Sequence, residues 1–501
     1  MSKNSTIAIK LLVVLLAIAT ATAVLLEDDV PLQALSQANP DIWWETLGGD
    51  PYRTAYVPLT VISGSLTGTV RWSFSAPSYA ELGYYPFDTN PVIANIDGQG
   101  GAEVVVTNSG GVVVLLDAAT TNTGGELLGY LWVDAEPHST PALADLDNDG
   151  VLEIVVGTKR GRVVALDVSP ATWTISYLWS SEQLDERISS SPLVVDLDNN
   201  GVHEVVVQTR AGLVCLDGST GAVKWRSVVK DMVMVQSPVL LGDINNDAVL
   251  DVLGSGVFGE IYAVSGSDGS LIWRRNLWSE TTTLEGLLLI HTPVVADTDG
   301  DGVLEVVVSL GREVFGRPVN VVERVGLLGR LTILDSKSGA VEAVLSPTGM
   351  YLYAWFAQPA IAAGDVDGDN VVEVFLASAD GYLYMIDYTG TTYSVTQFTN
   401  PYDSDWNIPE MGPTSAGIAL ADLDGDSSYE VALVATVAGV ENLEYRVYLY
   451  DIATGGTTQL YTTGTIFRER FNWPSLSISD VDNDGLLELV VVATHRVICL
   501  E

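Results

Sequence analysis

The sequence predicts an all-β chain folded as an eight-bladed β-propeller of four-stranded antiparallel blades. Three observations carry this expectation. An acidic phrase recurs eight times, each copy sits between two strand-like runs, and an orphan strand near the N-terminus matches the outer strand that the last repeat lacks.

Six copies of the phrase are nearly intact, beginning at Asp145 (DLDNDGVLE), Asp196 (DLDNNGVHE), Asp297 (DTDGDGVLE), Asp365 (DVDGDNVVE), Asp422 (DLDGDSSYE) and Asp480 (DVDNDGLLE). Two are eroded, at Asn95 (NIDGQGGAE) and Asp243 (DINNDAVLD). Their starts lie 50, 51, 47, 54, 68, 57 and 58 residues apart, a period of propeller blades or solenoid repeats. The third unit reads as SSPLVVDLD, the loop, HEVVVQT, GLVCLD and STGAVKWRS, which is four strands. The second strand of each unit is apolar throughout, as expected where both faces are buried between neighbouring sheets. Radially stacked sheets satisfy this, whereas a solenoid uses shorter rungs. The last unit ends at HRVICLE, one strand short, and residues 65–76 (SLTGTVRWSFSA) match the outer strand GSTGAVKW of the third. That segment is expected to complete the eighth blade and so remove an exposed sheet edge. The propeller then spans residues 65–501, behind a linker and lead-in at 27–64.

Within each phrase, carboxylates at positions 1, 3 and 5 converge on one tight turn, position 6 is often Gly, and an acid at position 9 closes the shell. An anionic, all-oxygen cage suits Ca²⁺ better than Zn²⁺, which prefers Cys or His, or Mg²⁺, which demands tight octahedral geometry. The EF-hand reading fails, because position 12 is Val156, Val308 and Val491 in three copies and the following residues are strand-like. The candidate ligands are Asp145, Asp147, Asp149 and Glu153; Asp196, Asp198, Asn200 and Glu204; Asp243, Asn245, Asp247 and Asp251; Asp297, Asp299, Asp301 and Glu305; Asp365, Asp367, Asp369 and Glu373; Asp422, Asp424, Asp426 and Glu430; and Asp480, Asp482, Asp484 and Glu488. About six to seven Ca²⁺ sites are expected. The first loop keeps only Asp97 and Glu103 as acids, and the fourth carries Asn245 and Ala248 where Asp and Gly are usual.

These D-x-D-x-D-G-x-x-E loops between strands resemble the calcium-binding FG-GAP/VCBS repeats of integrin-α-like propellers. The phrase from Gly212 to Trp225, G-x-V-x-x-L-D-x-x-T-G-x-x-x-W, resembles the PQQ-like (quinoprotein) propeller repeat, and WWETLGGDPYRTAY (residues 43–56) resembles its lead-in. The resemblance covers most of the chain beyond residue 43. It implies fold and calcium, and leaves activity open, because such repeats serve adhesion, scaffolding and catalysis alike.

The first 26 residues have a basic start and an apolar run, LLVVLLAIATATAVLL, which reads as a secretory signal peptide or an N-terminal membrane anchor. Either places the propeller outside the cytoplasm, secreted or at the cell surface. Formal net charge is −41, and the eight loops hold 28 of the 64 acidic side chains. Such a surface argues against nucleic acid and anionic membrane as partners. Cys215 and Cys499 occupy the same place in repeats three and eight, too far apart for a disulfide, and are expected as buried free thiols. His138, His203, His291 and His495 form no cluster in the sequence.

The longest insertions fall on the face opposite the acidic loops and are rich in aromatic residues. Tyr353, Trp355, Trp406, Arg468, Arg470 and Trp473 are the candidate contacts there for a protein or glycan ligand. The leading expectation is an adhesion or interaction module without chemistry of its own. The alternatives are a quinoprotein-type dehydrogenase, although the adjacent Cys–Cys pair typical of those enzymes is missing, and a polysaccharide lyase.

Overall fold

The computed structural model describes residues 49–53, 55, 57, 66–76, 82, 85–87, 89–136, 139–229, 232, 235–256, 258–277, 287–289, 292–312, 330–346, 361–377, 383–398, 414–438, 442–463, 466–467 and 474–501. All of them belong to one compact unit, Ile42–Glu501. Among the described residues the regular elements are strands, and no helix is long and apolar enough to cross a membrane.

The strands form eight antiparallel sheets, one for each acidic phrase. Blade 1 is Val92–Ala94, Glu103–Thr107, Val112–Asp117 and Glu126–Trp132; blade 2 is Ala142–Ala144, Glu153–Gly157, Val163–Ser169 and Thr174–Ser180. Blade 3 is Leu193–Val195, Glu204–Thr209, Gly212–Asp217 and Val223–Arg226; blade 4 is Val239–Gly242, Asp251–Ser255, Glu260–Val264 and Leu271–Asn276. In blade 5 both Leu287–Leu289 and Val294–Ala296 pair with Glu305–Arg312, followed by Arg330–Asp335 and Val341–Leu345. Blade 6 runs from Ile361–Gly364 through Glu373–Ala377 and Leu383–Tyr388 to Tyr393–Gln397. Blade 7 holds Thr414–Ala421, Glu430–Ala438, Asn442–Asp451 and Thr457–Thr462, with the short Ile466–Phe467 beside Asn442–Asp451. Blade 8 is Ser475–Ser479, Glu488–Ala493, Arg496–Leu500 and, from the other end of the sequence, Val70–Ser75. The orphan strand therefore lies where its sequence places it, with Trp72 opposite Cys499 and Ser75 opposite Arg496.

The apolar second strands are buried along their whole length in blades 1, 2 and 3, as the unbroken Val runs require. Outer strands alternate, and Val223–Arg226 buries only Trp225. Two devices in the repeat join blade to blade. The first is a hydroxyl beside the proline that opens the inner strand, before it in blades 2, 3 and 4 and after it in blade 8. Thr140 Oγ1 accepts the Asn90 amide, Ser191 Oγ accepts that of Thr140, and Ser237 Oγ accepts that of Ser191, linking blades 1 to 4. Ser475 and Ser477 donate to the carbonyls of Thr89 and Pro91, joining blade 8 to blade 1.

The second device is the outer-strand tryptophan. The indole N–H of Trp72, Trp179, Trp225 and Trp273 donates to the carbonyl of Ala118, Gly218, Gly266 and Ser336 in the next blade, at 2.8, 2.6, 2.6 and 2.6 Å. The turn glycine of the T-G-x-x-x-W phrase receives the ring. Gly221 has φ +70°, and a Cβ there would lie 2.4 Å from Trp179 Cε3. The phrase thus encodes both halves of an inter-blade joint: the glycine accepts the preceding blade's indole, and the tryptophan enters the following one.

Inside the ring, residues of the lead-in cross from one side to the other. The Leu240 amide of blade 4 donates to Pro51 O, and the Val295 amide of blade 5 to Tyr52 O. The Leu420 amide of blade 7 donates to Ala55 O, and Val57 donates back to Leu420 O. Arg53 has no exposed surface, and its guanidinium donates to the carbonyls of Pro192 and Pro238, in blades 3 and 4. Burial pushes its pKa down to about 10. The described residues of this segment thus bond to the inner strands of blades 4, 5 and 7 and to the prolines that open those of blades 3 and 4.

Candidate metal centres

Each acidic phrase joins the inner strand of a blade to its second strand and folds into the same turn. In blade 2, Asp145 accepts the amides of Asp149 and Gly150 at 3.2 and 3.0 Å. The position-6 residue has positive φ in every intact copy: Gly150 87°, Gly201 85°, Gly302 83°, Asn370 67°, Ser427 69° and Gly485 88°. Position 4 does too, with Asn148 at 62°, Gly300 at 75° and Asn483 at 58°. The left-handed region favours Gly and tolerates Asn, which explains why position 4 is always one of these two in the intact copies. Asn or Gly at position 4 is thus a sequence mark of the turn.

The position-9 acid is the anchor. It is the first residue of the second strand, and its burial is near complete: Glu153 is 0 % exposed, Glu204 1 %, Glu305 1 % and Glu430 2 %. One oxygen is held by the position-2 amide. Glu153 Oε2 accepts Leu146 N at 2.7 Å, and Glu204, Glu305, Glu373, Glu430 and Glu488 accept Leu197, Thr298, Val366, Leu423 and Val481 in the same way. The other oxygen, Oε1, is buried without a hydrogen-bond partner in Glu153, Glu373 and Glu430. Burial, then the nearby aspartates working against the position-2 amide, pushes these carboxyls up: Glu153 to about 7, and Glu305, Glu373, Glu430 and Glu488 to about 8. A carboxylate buried in this way is stabilised as an anion by a cation beside it.

Carboxylate oxygens of positions 1, 3 and 9 come within 4.8 Å of one another in Asp145, Asp147 and Glu153; Asp196, Asp198 and Glu204; Asp297, Asp299 and Glu305; Asp365, Asp367 and Glu373; and Asp422, Asp424 and Glu430. Position 5 also shapes the turn. Asp149, Asp301, Asp369, Asp426 and Asp484 each accept the amide two residues on, at 2.8–2.9 Å, and so cap the turn. Asn200 and Asp247 do the same. The groups offer hard oxygen ligands only, and their residues fit Ca²⁺. The eroded first loop keeps the turn, with Gln99 N donating to Asn95 and Asp97 and Glu103 accepting Ile96 N, although most acids are gone. Turn formation therefore needs no full ligand set.

One residue near these centres was missed by motif reading. Lys224, on the outer strand of blade 3, places Nζ 2.6 Å from Glu204 Oε1 and 3.6 Å from Asp198 Oδ2. On the opposite face, the candidate contacts Tyr353, Trp355, Trp406, Arg468, Arg470 and Trp473 lie outside the described residues, as do His138 and His291. Cys215 and Cys499 are buried free thiols, and burial raises both thiol pKa values.

Eight antiparallel blades closed by an N-terminal strand, with Trp joints between them, define a PQQ-like propeller. The family model described as outer membrane protein assembly factor BamB matches residues 60–317 and again 205–458, and the chain belongs to this family. Among solved structures it resembles a europium-containing methanol dehydrogenase, 13 % identical over 91 % of this chain and 90 % of that one, with a TM-score of 0.50. It also resembles Saccharomyces cerevisiae Sqt1, 12 % identical over 87 % and 98 % of the two chains, with a TM-score of 0.52. BamB from Moraxella catarrhalis is 14 % identical over 83 % and 99 %, with a TM-score of 0.44. At these identities the likeness is one of fold. No curated protein matches the chain.

Proposed function

We propose that this chain is a calcium-loaded, BamB-type propeller that works outside the cytoplasm as a binding scaffold for another protein. The observation that carries the scaffold reading is the bonding of the lead-in to the inner strands. Pro51, Tyr52, Arg53, Ala55 and Val57 of the chain itself bond there to blades 3, 4, 5 and 7, where a small-molecule site would need open space. Calcium enters this reading through Glu153, Glu373 and Glu430, whose buried, unpartnered oxygens lie among the aspartates of positions 1 and 3. In this reading the FG-GAP-like loops are clips between first and second strands. The partner then docks on the opposite face, where the insertions are longest. Family membership favours a protein partner, and the glycan, adhesion and lyase readings gain no support from the comparisons.

The test is site-specific crosslinking in the native cell from the insertions at 349–358 and 400–412, followed by reconstitution of the complex from purified components. One defined partner is expected, bound in Ca²⁺ and released by chelator. Purified components that form no complex in Ca²⁺ would remove the reading.

A quinoprotein-type dehydrogenase is the second reading, favoured by the PQQ-like family match. The residues do not fit the cofactor well. The only two cysteines sit in blades 3 and 8 and cannot supply an adjacent disulfide, and lead-in residues bond to the inner strands of blades 4, 5 and 7. Absorption spectra after incubation with PQQ and Ca²⁺ decide: a stoichiometric bound-quinone band would reverse the ranking.

A further inference from the structure

The phrase in blade 3 differs from that of blade 2 by one acid, Asn200 for Asp149, yet its surroundings differ in kind. The outer strand of blade 3 carries a bulge. Leu216 pairs with Val223 and Cys215 with Trp225, which leaves Lys224 as the extra residue. A bulge re-aims the side chain it carries, and here it turns Lys224 onto the acidic loop. The same bulge occurs in blades 1, 2, 4, 5, 7 and 8, where the extra residue is Leu128, Leu178, Ile272, Glu342, Leu460 and Arg71. In blades 2 and 7 it is thus a leucine, and there the position-9 Oε1 has no partner. In blade 3 the equivalent oxygen, Glu204 Oε1, accepts from Lys224 Nζ at 2.6 Å. Asp198, at position 3, lies 3.6 Å from the same nitrogen.

We propose that the loop at Asp196–Glu204, intact as a motif, takes no calcium because the Lys224 ammonium occupies the space between positions 3 and 9. The inference rests on the calcium reading above for the other loops. A divalent ion would have to share Glu204 Oε1 with an ammonium at hydrogen-bond distance, or expel it. Its binding cage would also hold three acids where the other intact loops hold four, and affinity in such sites falls with ligand charge. Blade 4 meets the same need in another way. The second oxygen of Asp251 accepts Gly266 N at 3.2 Å and Asn245 Nδ2 at 3.3 Å, so amides stand where Lys224 stands in blade 3. In blade 8, Arg71 pairs with Asp482 at position 3, at 2.5 Å. Motif completeness therefore does not fix metal occupancy in blade 3; Lys224, twenty positions beyond Glu204, does.

Equilibrium dialysis of the full chain against about 1 mM Ca²⁺, the affinity range of extracellular calcium modules, with metal analysis of the protein, tests this. Lys224→Met is expected to gain one calcium per chain. In the otherwise unchanged protein, Glu204→Gln is expected to leave stoichiometry as it was, whereas Glu153→Gln loses one. A loss of one calcium with Glu204→Gln, or a folded Lys224→Met with no gain, overturns the proposal. If Lys224→Met does not fold, the two glutamate variants still decide. Absence of bound calcium in the unsubstituted protein would instead sink the calcium reading itself.

Discussion

Blades 2 and 3 are neighbours built from almost the same words. Each has an acidic loop, a fully buried second strand, and an outer-strand tryptophan, Trp179 or Trp225, that enters the next blade. They part company at one buried oxygen. Glu153 Oε1 has no hydrogen-bond partner, whereas Glu204 Oε1 accepts from Lys224. The framework between blades is thus repeated closely, while the charge balance inside each loop is solved locally. Repetition tells how a blade joins its neighbour, and the side chain facing the loop tells what the loop requires.

The shared part should dominate stability. Trp179→Ala and Trp225→Ala each remove a buried indole and its hydrogen bond, and each should cost roughly 3–5 kcal/mol by chemical denaturation. A much smaller loss in one would show that the two joints are unequal. The difference between the blades should appear next. At a calcium concentration about a hundredfold above Kd, bound metal stabilises by about 2.7 kcal/mol, equivalent to about a hundredfold in local opening. Hydrogen exchange at Leu146, which donates to Glu153, should therefore accelerate on chelation by up to that factor. Exchange at Leu197, which donates to Glu204, should barely change. Equal acceleration at both amides would erase the distinction.

Smaller effects separate turn from joint. Gly221→Ala places a Cβ against Trp179 at a residue with φ +70° and should cost about 2–3 kcal/mol, adding overpacking to backbone strain. Gly150→Ala, in the loop of blade 2, has a φ of +87° but nothing within 4 Å of the new Cβ, and should cost about 1 kcal/mol. Ala248, which already occupies the matching position in blade 4 at φ 66°, supports the lower figure. Thermal melts of the two variants side by side are sufficient to rank them.

The ring was legible because its signals are local and repeated. The unbroken Val runs, the eight loops and the match between residues 65–76 and the third outer strand lead to the observed sheets. Positions 1, 3 and 9 of the loops were legible for the same reason. Position 5 has a second task that spacing does not reveal: Asp149 and Asp301 each accept the amide two residues on and so cap their own turn. Lys224 was illegible as part of a centre. It lies 20 residues beyond Glu204, and only the bulge between Leu216 and Cys215 turns it inward. Arg53 escaped notice because the lead-in has no periodicity, and its partners, Pro192 and Pro238, are carbonyls that no side-chain pattern reveals.

Ring closure also sets an order of events in biosynthesis. Val70–Ser75 emerges from the ribosome before any blade, yet among the described residues its only sheet partner is Arg496–Leu500. At about 5–20 residues per second, the strand waits on the order of a minute for that partner to be made. Through that interval Trp72 and Phe74, which have no exposed surface in the finished ring, remain uncovered beside an open strand edge. The residues that lock the ring are therefore the ones the growing chain must shield longest, so the hazard of misassembly falls on the first strand and its lead-in.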